Sequence, residues 1–437
     1  MSMGHRSLPQ EQDLPIRLSE LPRAPGHAFY DKLNRLLADI DFDRYAEDLC
    51  RPHYADGVGR PSLAPGVYFR MLLVGYFEGL DSQRAIAWRC ADSLSLRAFL
   101  GIPLTQATPD HSSLTKVRQR LPLDVPEQVF VFVLKVAQKK KLLRGKTVAV
   151  DATTLEANAA MRGIVRKDSG EDWKDYLKRL MAKEGAKGPT DEELRRFDKK
   201  RPKKVSNKEW QSPSDPDSRI AKMKDGRTHL AYKAEHTVDL DSGFVLAAAV
   251  HTADQADSAT LVDSVLLAQV NLVLAGSEQE VEEVVTDKGY HKAETLAQCQ
   301  RCQTRTYVRE PRRKGKRKWR GKPDSWRRAT AANRRRLKGA RSKRLHKRRS
   351  ELAERSFAHV CETGGGRRTW LRGLVEVSKR YVVQVAAHNL GLLMRKLFGV
   401  GKPRTLQGGG RGARLKDWVV PKAAGEANAP PTIPRSP

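Results

Sequence analysis

Three acidic residues, far apart in the chain, have the surroundings of metal-binding carboxylates. Asp151 ends the apolar, strand-like run of KTVAVDATTLEAN, Asp287 ends that of VEEVVTDKGYH, and Glu354 lies on the helix-like stretch SELAERSFAHV. Two carboxylates at strand ends and a third on a helix can meet at one edge of a sheet. Hard oxygen ligands of this kind hold divalent cations. Two such cations activate an oxygen nucleophile on one side of a phosphate and stabilise the leaving oxygen on the other, so no catalytic His is needed. Asp287 has the most informative setting, because Lys288-Gly289-Tyr290 follows it. The glycine suits a tight turn, and Lys288 and Tyr290 are candidates for phosphate contact. Glu351, one helical turn before Glu354, is a rival third ligand, and Glu362, beside a Gly-Gly-Gly turn, is a poorer one.

The composition points to a polyphosphate partner. Among 437 residues, 82 Lys and Arg stand against 51 Asp and Glu, a formal net charge of +31. A chain this basic repels itself unless a polyanion is near, and nucleic acid is the usual one. The charge is concentrated: residues 311–350 hold 20 Lys and Arg and a single acid, Asp324. Lys316, Arg317 and Lys318 lie at its centre and Arg348 and Arg349 at its end, with Trp319 and Trp326 interleaved. A solvated charge run is the plain reading. Its position between Asp287 and Glu354 favours a grip on DNA phosphates, with the tryptophans packing or stacking on bases. Five scattered cysteines suit a reducing cytoplasm, and Cys299-x-x-Cys302 lacks the second pair a zinc site needs. No signal peptide is recognisable, and the run SVLLAQVNLVLAG is too short to span a bilayer.

The elements that must position these residues follow from periodicity. Residues 1–26 read as a flexible arm. From 27 to 143 apolar residues recur at helical spacing, with Pro65 near a helix start, an Asp cap at DSQRAI and Gly101 at a helix end. This is an all-α domain suited to DNA binding, dimerisation or both. TVAVDATT then reads as a short strand, and 161–227 as a charged insert with one or two helices. Two strands flank Asp241-Ser242-Gly243 as a hairpin. A helix, the strand EEVVTD, a helix and the strand TRTYV follow, which makes 144–400 a mixed α/β sheet with helices packed on it. SKRYVVQVAAHNLGLLMRKLFG is a last amphipathic helix, and 401–437 a Gly/Pro/Ala-rich tail without fixed structure.

At this point the chain resembles a family. VAVDATTLEANAAMRGI, VTDKGYHKAETL, ERSFAHVCETGGGRRTWLRGL and KRYVVQVAAHNLGLLMRKL resemble the DDE transposases of bacterial insertion sequences, in the IS-five-like group with a helical N-terminal domain. The resemblance runs from about 27 to 398. It implies an RNase H-like catalytic core in which Asp151, Asp287 and Glu354 hold two Mg²⁺ ions, with Mn²⁺ as an alternative. It implies double-stranded DNA as partner, both terminal inverted repeats and target DNA, a homodimer on DNA, and a nucleoid-associated cytoplasmic protein without a membrane role. The family's third motif has an Arg four residues before the Glu and a Lys seven after it. Ser350 and Cys361 occupy those positions here, and Arg348, Arg349 and Arg355 are the nearby cations able to substitute. The alternatives are a transposase-derived DNA-binding protein without catalysis and an RNase H-like nuclease.

Overall fold

Local chemistry sets the N-terminal helices. They run α1 Ala28–Asp39, α2 Phe42–Cys50, α3 Pro65–Glu78, α4 Gln83–Asp92, α5 Leu94–Leu100, α6 His111–Arg120 and α7 Asp124–Lys139. Pro65 occupies the first turn of α3, where its missing N–H costs nothing, and Gly79 ends that helix in the left-handed region. Ser82 rather than the expected Asp81 caps α4, accepting from the Ala85 amide. Gly101 closes α5 as expected. The computed structural model describes residues 27–403 apart from 56–61, 186–187, 202–205, 224–225 and 313–318. The expected arm at 1–26, nearly all of the tail and the cations Lys316, Arg317 and Lys318 lie outside the described residues.

The sheet follows. Its strands are β1 Thr147–Glu156, then, after a two-stranded pairing of β2 Val165–Arg166 with β3 Trp210–Gln211, β4 Arg219–Lys222, β5 Thr228–Asp239, β6 Val245–Thr252, β7 Glu283–Thr286 and β8 Arg305–Val308. The order is β4-β5-β1-β7-β8, with β6 also on β5. β5 pairs antiparallel with β1, β4 and β6, whereas β1, β7 and β8 are mutually parallel. β1 is longer than the apolar run suggests. It continues through Glu156 against β5, so Asp151 lies in mid-strand and not at a strand end. The expected hairpin at Asp241–Gly243 joins β5 to β6, with Gly243 at φ 83°. The insert holds helices α8 Trp173–Lys183 and α9 Asp191–Lys200.

Helices cover both faces. They are α10 Asp257–Leu274, α11 Ala293–Arg301, α12 Asp324–Leu337, α13 Ala340–Phe357 and α14 Leu374–Phe398. Neighbouring residues of one strand point to opposite faces, and β5 shows which helix owns which face. Glu235 accepts from Thr260 and Ser264 of α10, while His236 meets Ser356 of α13 and Tyr381 of α14. Of the 20 Lys and Arg in 311–350, 11 lie on α12 and α13, and Trp326 packs partly against the core. The N-terminal helices share that core. Phe29, Phe69, Phe77 and Leu134 join one apolar cluster with Tyr381, Leu390 and Leu393 of α14. Arg118 of α6 pairs with Glu376 at 2.6 Å.

Candidate active site

The parallel register of β1 and β7 brings two of the acids together. Thr147, Val148 and Ala149 pair with Glu283, Val284 and Val285. Two residues further along that register, Asp151 stands beside Asp287, just past the end of β7. Asp151 shares the face of Ala149, which packs with Leu345 and Leu352 of α13. Burial pushes the Asp151 carboxyl above its ordinary range; Arg349 pulls it down and the charge on Asp287 pushes it up. The two carboxylates therefore sense each other in a poorly solvated place. Asp287 is fixed locally, its Oδ1 accepting from the Gly289 amide at 2.8 Å. Gly289 is the residue that spacing demands. A Cβ there would lie 2.7 Å from Oδ2 of Asp257 and 3.1 Å from Oδ1 of Asp287.

A cation faces Asp151. Nη2 of Arg349, on α13, lies 2.9 Å from Oδ1 of Asp151, and the side chains are 11% and 19% exposed. The Arg349 Nε is buried without a hydrogen-bond partner. One pleat further along the same face, Arg367 donates to Thr153 Oγ1 at 3.0 Å and to the Thr154 carbonyl at 2.8 Å, and it pairs with Glu362. Glu362 is thus taken by Arg367. The segment carrying Arg367 lies against the end of β1, its Thr369 amide donating to the Glu156 carbonyl at 2.9 Å.

Neither candidate for the third acid touches the pair. Arg349 defines the inward face of α13, and at about 100° per residue Glu354 lies about 140° round the helix from it. Glu354 is exposed, on the flank of His346 and Ser350, where His346 senses Arg309 beyond β8. Glu351 lies on the other flank with Arg348 and Arg355. It is bound to Arg355 at 2.5 Å, and Arg348 pairs with Asp241 at 3.0 Å. Among the described residues no three His, Cys, Asp or Glu side chains converge as a ready metal site. Asp151 and Asp287 thus lie together, and Glu354 and Glu351 lie apart from them.

Of the expected phosphate contacts, Lys288 is exposed, whereas Tyr290 is 1% exposed. The Tyr290 hydroxyl donates to Glu235 at 2.7 Å, so it braces the turn after Asp287 and is not free for DNA. Sequence reasoning missed the residues that support the acids from β5. Lys233 donates to Asp257 at 3.1 Å and to the Gln255 carbonyl at 2.8 Å. His236, the cross-strand partner of Asp151, is fully buried and stacks on Phe357 with centroids 4.1 Å apart. The Ser356 hydroxyl donates to the Ala353 carbonyl, which leaves its oxygen to accept from His236 Nδ1 at 2.9 Å. Nε2 then accepts from the Tyr381 hydroxyl at 2.8 Å. The one available signal was charged and polar residues alternating inside an apolar strand, YKAEHTV.

Comparison with known proteins fits this geometry. Residues 18–120 match the model of a transposase domain of otherwise undefined role, and residues 276–394 match a transposase DDE domain. The second stretch contains Asp287 and Glu354; Asp151 falls between the two. No curated protein and no solved structure matches the chain. The two matches lie in chain order, a transposase domain followed by a transposase DDE domain, and together they support a DDE transposase of an insertion sequence.

Proposed function

We propose that this transposase binds the ends of an insertion sequence, cuts the DNA strands there and joins the freed 3′ ends to target DNA. The observation that carries the reading is the Asp151–Asp287 pair, set side by side where β7 ends against the middle of β1 and faced by Arg349. Two close carboxylates of which one is pushed toward protonation form a site that a dication relieves, so the donor chemistry fits Mg²⁺ or Mn²⁺. When bound, two such ions supply an activated oxygen nucleophile and a stabilised leaving oxygen. Asp151 and Asp287 would hold them, with Glu354 contributed from the flank of α13. Lys288 and the exposed cations of α12 and α13 bind the phosphates and set the strand against this pair. Arg349 neutralises Asp151 in the free protein. A homodimer on two DNA ends belongs to the same proposal.

Asp151→Asn and Asp287→Asn test it on end-bearing duplex DNA with Mg²⁺. Each is expected to lower the cleavage rate at least about 1000-fold, about 4 kcal/mol of transition-state stabilisation, with DNA affinity within about threefold of the parent. Normal cleavage by either variant would remove the carboxylate pair from the chemistry. A DNA-binding protein without catalysis is the second reading, favoured by the outward position of Glu354. Wild-type protein that binds such DNA and never cuts it would establish that alternative.

A further inference from the structure

The outer face of α10 lies uncovered. Leu266, Leu267, Val270, Val273 and Leu274 are all exposed, Val270 by 51% and Val273 by 61%, while the inner face is buried against the sheet. By length and composition alone this helix could cross a membrane, which the shorter apolar run read from sequence did not suggest. It lies along β6 and β5 instead, with the Asn271 side chain bonded to the Leu246 carbonyl. Five apolar side chains on one helix face are unusual for a surface that meets only water.

We propose that this face pairs antiparallel with the same face of a second copy, about a two-fold axis at Val270. Two observations select a copy of this chain as the occupant. The first is spacing. The apolar positions fall at −4, −3, 0, +3 and +4 relative to Val270, which reads the same in both directions. In an antiparallel pair Leu266 then meets the partner's Leu274, and Leu267 meets the partner's Val273. This is the self-complementarity an isologous interface requires. The second is charge. The chain carries +31, yet residues 234–287 contain 11 Asp and Glu and no Lys or Arg. α10 itself carries Asp257 and Asp263 and no Lys or Arg, so its apolar face brings none of the chain's many cations against their like. The lack of Lys and Arg on α10 itself also separates it from membrane-surface helices, which carry them beside their apolar stripe. The inference rests on α10 alone and not on the DNA chemistry proposed above.

Sedimentation equilibrium of the full chain without DNA is the test. The wild type is expected to be dimeric at micromolar concentration. The dimer should tighten as salt rises to about 0.5 M, because screening removes repulsion and leaves apolar contact. Val270→Asp is expected to weaken association at least about 100-fold, with its unfolding transition unchanged. Val270→Cys in a Cys302→Ser background keeps the fold in view independently. It should form a disulfide-linked dimer on mild oxidation, whereas Cys302→Ser alone should not. A monomeric wild type, including one that sediments with phosphatidylcholine vesicles, would overturn the proposal. So would an unweakened Val270→Asp dimer, or a Val270→Cys variant that does not cross-link.

Discussion

Arg349 sets a guanidinium where two carboxylates concentrate negative charge, 2.9 Å from Asp151. Burial pushes the Asp151 carboxyl up, and Arg349, which cannot shed its proton, opposes that shift without outweighing it. The same logic separates Glu351 from Glu354. Glu351 already has a cation in Arg355 and lies with Arg348 on the flank toward the β5–β6 turn. Among the described residues no ion pair involves Glu354, which lies on the flank toward the ends of β7 and β8. Glu354→Gln is therefore expected to lower Mg²⁺-dependent cleavage at least about 100-fold, and Glu351→Gln less than about threefold. Cleavage assays of both variants on one DNA substrate decide it, and the reverse order would hand the third position to Glu351. The sequence made both glutamates visible but could not rank them, because one helical turn separates them and only the surrounding cations tell the flanks apart.

At the scale of elements, the placement of α13 depends on His236. Its ring joins Ser356 and Tyr381 and stacks on Phe357, so one buried side chain of β5 ties α13 and α14 to the strand that flanks Asp151. Burial pulls the His236 ring down to about 3. The native state thus holds it neutral, while an unfolded chain takes up a proton below about 6.5. The stability this group gives is complete above about 6.5 and is lost as pH falls toward about 3. His236→Gln is expected to cost about 1–3 kcal/mol at neutral pH, since Ser356 and Tyr381 lose their partner. That gap should shrink on acidification, as measured by urea unfolding at neutral pH and near pH 5. A gap that stays constant would mean the ring is not the titrating group. Helix and strand identities were legible along most of the chain because apolar periodicity states them directly. The length of β1 was not, since its outer half (Asp151–Glu156) has a single large apolar residue, Leu155, and owes its strand form to β5. His236, Lys233 and Arg367 were likewise invisible as site residues. Their roles come from contacts with residues 22 to more than 200 positions away.

At the scale of the whole molecule, charge is segregated. Residues 234–287 carry 11 acids and no Lys or Arg, and 311–350 carry 20 Lys and Arg with one acid. Eleven of the block's 20 cations lie on α12 and α13, and α13 also delivers Arg349 to Asp151. A polyanion drawn to those helices therefore arrives beside the carboxylate pair. On the proposed function, the acids then meet phosphates already neutralised by Arg and Lys. Arg335, Lys343, Arg344 and Lys347 are exposed on these helices. Each phosphate contact contributes a slope of about −0.9 to log K against log salt for duplex DNA. Replacing the four by Gln is expected to flatten the slope by about 2–4 and to weaken binding at least tenfold near physiological salt. The same change on cations distant from the site, Arg35, Lys139 and Lys140, should move the slope by less than about 1. Fluorescence anisotropy across a salt series measures both. An unchanged slope in the fourfold variant would make the basic helices a solvated face and leave Lys288 and the N-terminal helices to hold the DNA.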